Sequence, residues 1–126
     1  MWRFILIAFL PGLAFAGSVE DDTSGCMFKT EASEMRSCLS DVYYRRGTEM
    51  DDRIASVAYG TGLTGLQADV IASKFESAQT EWRVKTDQRC QKRGLVAREL
   101  CRLSSLQVRE AELSAALDKV MRANGG

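Results

Sequence analysis

The chain has 126 residues, with 17 basic and 17 acidic side chains and no histidine. That balance by itself points to no partner and disfavours nucleic acid, and the missing histidine removes Ser-His and Cys-His nucleophilic chemistry. The length suits one small domain with a modest apolar core, in which covalent cross-links would matter.

Residues 1–16, MWRFILIAFLPGLAFA, carry Arg3, an apolar run broken by Pro11 and Gly12, and a closing Ala14-Phe15-Ala16. This is the pattern of a secretory signal peptide cleaved after Ala16. The apolar run is shorter than the roughly 20 residues a bilayer span requires, and the first cysteine, Cys26, lies too far past the cut to be lipidated. The expectation is a bacterial periplasmic or secreted protein with no stable membrane anchor. Loss of residues 1–16 would remove Arg3 alone, leaving 16 basic against 17 acidic side chains.

Residues 17–29, GSVEDDTSGCMFK, are small and acidic and are expected to be irregular. A helical domain is expected over 30–123. Its first helix carries Met35, Leu39, Val42, Met50, Ile54 and Val57 at helical spacing, with a gap at Arg46 and Gly47 that is a candidate kink. Residues 60–65, GTGLTG, formally match a G-x-G-x-x-G nucleotide fingerprint. They follow a helix rather than a strand, so the pyrophosphate site of a βαβ unit is not expected. Gly60 instead ends the first helix, and Thr64 with Gln67 forms a capping box for the second. The second helix places Leu66, Val70, Phe75, Ala78, Trp82 and Cys90 on its apolar face and ends near Gly94. The third carries Val96, Leu100, Leu103, Leu106, Leu113, Leu117 and Val120. The predicted fold is all-α, a small antiparallel three-helix bundle stapled by two disulfides.

Four cysteines in an exported chain favour two disulfides over thiols or metal ligands. No C-x-x-C pair exists, so zinc, the rival reading, would need unusual spacing. In a hairpin turning near residues 94–96, Cys90 and Cys101 face one another. Cys26 and Cys38 remain as the second pair, which requires Cys26 to lie outside the helix, because twelve helical residues would separate them by about 18 Å. The same geometry sets Arg109 opposite Trp82, with Asp87 as a charge partner. A catalytic reading would need Glu81 or Glu99 as a second acid or base. These read as solvent-face carboxylates, so no enzymatic activity, cofactor or metal is expected.

The pattern Ala78-Gln79-x-x-Trp82-x4-Asp87-x-x-Cys90, followed by Cys101 and Arg109-x-x-x-Leu113, resembles the signature of the LprI-type lysozyme-inhibitor family of small secreted or lipid-anchored bacterial proteins. Cys26-x11-Cys38, with Glu34 and Met35 between, is similar to that family's opening motif. The chain departs from the pattern at Lys85 and Thr86, where relatives carry an aromatic and an arginine, at Ala55 and Ser56, where they carry Leu-Asn, and in its shorter last inter-cysteine loop. The resemblance implies Gln79, Trp82, Asp87 and Arg109 as structural motif residues and a lysozyme as the protein partner.

Charge is unevenly distributed. Glu20 to Asp52 holds nine acidic and four basic residues, whereas Arg83 to Arg102 holds seven basic and two acidic. The basic stretch surrounds the turn between the second and third helices. There Lys92, Arg93 and Arg89 are the candidate partner-binding residues, suited to a cleft in which paired carboxylates flank a scissile sugar bond. The alternative is a non-inhibitory envelope interaction or immunity-like module. The sequence sets neither the target nor the oligomeric state.

Overall fold

The computed structural model describes residues 17–60, 62–91 and 93–124. A short helix α1 (Val19–Thr23) runs into a 3-10 turn (Ser24–Phe28), followed by three long helices, α2 (Ala32–Gly60), α3 (Gly65–Cys90) and α4 (Leu95–Asn124). There is no strand among the described residues. The connections between the long helices are short, so α2, α3 and α4 run up, down and up. None of the described helices is long and apolar enough to cross a membrane. The predicted signal segment, residues 1–16, lies outside the described residues.

The segment 17–29 is ordered rather than irregular. Ser18 caps α1 by accepting a hydrogen bond from the Asp21 amide at 3.0 Å, and Glu20, Asp21 and Asp22 stand in the first turn, where the helix dipole favours negative charge. Val19 and Cys26 enter the main core. The Cys26–Cys38 disulfide, with Cα atoms 5.5 Å apart, ties the 3-10 turn to α2. Composition concealed this order because most of the segment's polar residues face water, while two buried residues and the cross-link fix it.

The apolar stripe of α2 buries Leu39, Val42, Met50, Ile54 and Val57 against Leu103, Leu106, Leu113 and Leu117 of α4. α2 runs through the gap at Arg46 and Gly47 without a break over 29 residues. Arg46 occupies a core position at 2% exposure. Gly47 has no steric reason to be glycine, since an added Cβ would meet nothing within 4 Å. Relative to alanine it costs the helix roughly 0.5–1 kcal/mol.

Gly62, at φ 79°, adopts the left-handed backbone that turns the chain from α2 towards α3. The expected capping box is present: Thr64 Oγ1 accepts from the Gln67 amide at 3.3 Å and Gln67 Oε1 accepts from the Thr64 amide at 3.2 Å. The buried face of α3 is smaller and more polar than periodicity suggested. Ala68, Ala72, Gln79, Thr86 and Cys90 are buried, whereas Leu66 and Val70 are 77% and 62% exposed. Ala68 and Ala72, not Leu66 and Val70, form the buried face of this part of α3. Leu100 of α4, also expected inside, is 41% exposed.

Candidate functional site

The turn joining α3 to α4 is closed by the Cys90–Cys101 disulfide, whose Cα atoms lie 5.7 Å apart. Closing a loop of this length contributes about 3 kcal/mol in the chain-entropy view. It also fixes the last turn of α3 against the first turns of α4. Gln91 continues the helical backbone, and the Arg93 amide reaches back to the Cys90 carbonyl at 3.3 Å.

The structure sorts the basic residues of this region by what they touch. Arg83 makes two 2.8 Å contacts with the carboxylate of Asp51 on α2, and Lys85 pairs with Glu81. Arg102 bridges Asp87 at 3.1 Å and the buried Glu99 at 3.3 Å. Burial pushes the Arg102 guanidinium down, but the charges of Asp87 and Glu99 outweigh that and hold it above its ordinary value. Arg89, Arg93 and Arg98 have no carboxylate within ion-pair distance among the described residues. Arg89 and Arg93 are exposed. Lys92, the remaining predicted contact residue, lies outside the described residues. Arg89 and Arg93 border a groove of about 370 Å³ with Cys101, Ser104, Ser105 and Val108. Its cationic rim, braced by a covalent bond, suits carboxylate or phosphate groups.

Ser105 organises this end of the molecule, and sequence reasoning missed it. Trp82 Nε1 donates to its hydroxyl at 3.1 Å, Arg89 donates at 2.8 Å, and Thr86 Oγ1 lies 2.7 Å away. A hydroxyl has two lone pairs and one proton. Trp82 and Arg89 fill both lone pairs, so Ser105 donates its proton to the buried Thr86. The available signal was a small polar pair, Ser104-Ser105, within the apolar repeat of α4, directly across the hairpin from Thr86.

The four motif residues each join helices, in a pattern different from the one expected. Arg109 does not lie over Trp82. It donates through Nε to Gln79 Oε1 at 2.5 Å, while the fully buried Gln79 offers its amide to the Met50 sulfur at 3.7 Å. Burial lowers the Arg109 pKa, and Glu112 only partly offsets it. Trp82 packs towards Tyr43, with ring centroids 6.2 Å apart. Asp87 pairs with Arg102 instead of Arg109. The hairpin rule holds for Cys90 with Cys101 and for Thr86 with Ser105, whereas Arg109 meets Gln79, about a turn from Trp82.

A second charged cluster lies inside the bundle. Arg46 donates to both carboxylate oxygens of Glu110 at 2.9 Å, to Asp22 at 2.5 Å and to the Gly17 carbonyl at 3.3 Å. Arg45 adds a 3.2 Å contact to Asp22. Burial pushes Asp22 up, yet the hydrogen bonds and charges of Arg46 and Arg45 prevail and hold it below the ordinary carboxylate value. With all its acids and bases engaged, this cluster is architecture linking α1, α2 and α4.

Among the described residues, no group of three or more histidine, cysteine, aspartate or glutamate side chains could hold a metal ion. Comparison of the chain with protein-family models, with curated proteins and with solved structures gave no match.

Proposed function

We propose that this chain is a periplasmic or secreted protein-binding module that acts by inserting its α3–α4 tip into a carboxylate-lined cleft, and that the cleft belongs to a lysozyme. The observation that carries this reading is the group Arg89, Arg93 and Arg98, without carboxylate partners among the described residues, in and beside a turn held by the Cys90–Cys101 disulfide. The two disulfides fit an oxidising compartment. A cross-linked turn has already lost the freedom that docking would otherwise cost. The identity of the target rests on the resemblance to the LprI-type family. The module performs no chemistry of its own in this reading.

The acidic segment is the weaker docking surface. Asp22 is occupied by Arg46 and Arg45, Glu49 lies 4.0 Å from Arg45, and Asp51 is held by Arg83. Three of the nine carboxylates of residues 20–52 are therefore paired within the molecule.

The test is a turbidity assay of cell-wall lysis by chicken-, goose- and invertebrate-type lysozymes with the purified protein. Joint substitution of Lys92 and Arg93 by alanine is expected to weaken protection at least about tenfold, the equivalent of roughly 1.4 kcal/mol. Protection that is unchanged in that variant would reject the tip. No protection by the unaltered protein at about micromolar concentration would favour the non-inhibitory envelope module.

A further inference from the structure

Between α2 and α3 lies a groove of about 220 Å³ bordered by Tyr43, Tyr44, Gly47, Asp51, Trp82 and Asp87, with Thr48 and Arg83 also lining it. Its aromatic walls are not coplanar. The Tyr43 and Tyr44 rings meet edge to face at 77° with centroids 5.4 Å apart, and Tyr43 and Trp82 are tilted by 37°. A flat sugar or base face would need a flat platform. Rings set at angles enclose a point charge instead, presenting more than one negative π face to it.

Two of the three aromatic walls are set before anything binds. Trp82 is tethered through Nε1 to Ser105, and Tyr43 is 5% exposed. The floor is open because Gly47 has no side chain, although it lies in mid-helix with ordinary backbone and no neighbour demanding its smallness. Of the two carboxylates that border the groove, Asp51 is spent on Arg83. Asp87 has only one oxygen, Oδ1, engaged by Arg102. The molecule already uses this cluster for a cation, since the Arg102 guanidinium stands 5.8 Å from the Tyr43 ring centroid.

We propose that this groove is a receptor for the guanidinium or ammonium group of an arginine or lysine side chain on a partner protein. The cation lies against Tyr44 and Trp82, above Gly47, and donates to Asp87 Oδ2. This surface is independent of the tip and stands whether or not the target is a lysozyme.

The experiment is an NMR titration of the disulfide-bonded protein, following the Trp82 indole N–H and the tyrosine ring resonances. N-acetyl-arginine amide and N-acetyl-lysine amide are the probes. Their neutral relative N-acetyl-citrulline amide, choline and N-acetylglucosamine are the comparisons. Saturable shifts with the arginine or lysine probe at a Kd of about 1–10 mM, and at least about fivefold weaker binding of citrulline, are expected. Gly47→Leu, which fills the floor, and Tyr44→Ala, at an exposed position, should each weaken the probe at least about fivefold while the Trp82 indole resonance keeps its position. Equal response to citrulline, preference for N-acetylglucosamine or choline, or an undiminished response in Gly47→Leu would overturn the proposal.

Discussion

Arg46 on α2 and Glu110 on α4 face one another through two parallel hydrogen bonds of 2.9 Å, at 2% and 8% side-chain exposure, in the middle of an otherwise leucine-rich contact. Breaking such a pair is costly because the surviving charge stays buried. Arg46→Ala or Glu110→Ala alone should lower unfolding free energy by about 3–5 kcal/mol, whereas Arg46→Met with Glu110→Leu should recover most of that loss. Urea denaturation of the three variants measures it. Equal losses in the single and double variants would show that the pair itself, rather than the stranded charge, sets the effect.

Asp22 gives the molecule an acid-sensitive clasp. Its folded-state pKa is below the ordinary 3.8, so its stabilisation is complete above that value and is lost as pH falls through the lower folded value. The melting temperature should therefore hold between about pH 7 and pH 5 and fall below about pH 4. Asp22→Asn should start lower at neutral pH and show a shallower acid decline. The difference between the two curves isolates this carboxylate.

Tyr43 supplies the alkaline counterpart. Burial first, and then the charge of Asp87, push its hydroxyl up to about 12. A raised tyrosine pKa favours the fold below the ordinary value of 10 and withdraws that support as pH climbs from 10 towards 12. Ultraviolet titration of tyrosinate should show Tyr43 ionising late, together with unfolding. Tyr43→Phe should abolish that late phase.

Serine 105 has an outsized role for a small residue. Ser105→Ala leaves the Trp82 indole N–H and the Thr86 hydroxyl without their partner and frees Arg89. A loss of about 1–3 kcal/mol is expected, with a shifted Trp82 indole resonance and no change in helix content by circular dichroism.

The two disulfides should separate by consequence. Replacing Cys90 and Cys101 by serine should cost about 3 kcal/mol and weaken protection against lysozyme through a loosened tip. Replacing Cys26 and Cys38 should cost a similar amount, release α1 and reduce the acid sensitivity that Asp22 confers, while leaving the tip intact. Thermal melts paired with the turbidity assay distinguish the two.

Three helices were legible because period-3.6 apolar spacing persists over the long segments and glycine with a capping box marks the first turn. Both disulfide pairings followed from the hairpin geometry and from what it left over, and the structure contains them. The charged core was half visible. Arg46 stands where the stripe Val42–Met50 skips a residue, and Glu110 stands in the matching skip between Leu106 and Leu113. Either one alone reads as a surface charge or a kink. Only the facing of the two gaps turns them into a buried pair.

By itself the sequence determined the helical class, the positions of the main turns and the covalent staples, since periodicity, capping and cysteine spacing are local properties. Which side chains meet was decided by the tertiary structure alone. Trp82 reaches Ser105, Arg109 reaches Gln79, Leu66 and Val70 face water, and residues 17–29 are ordered. Those outcomes depend on how closely and at what angle α3 lies on its neighbours, a balance of small-residue packing and buried polar satisfaction that no single helix encodes.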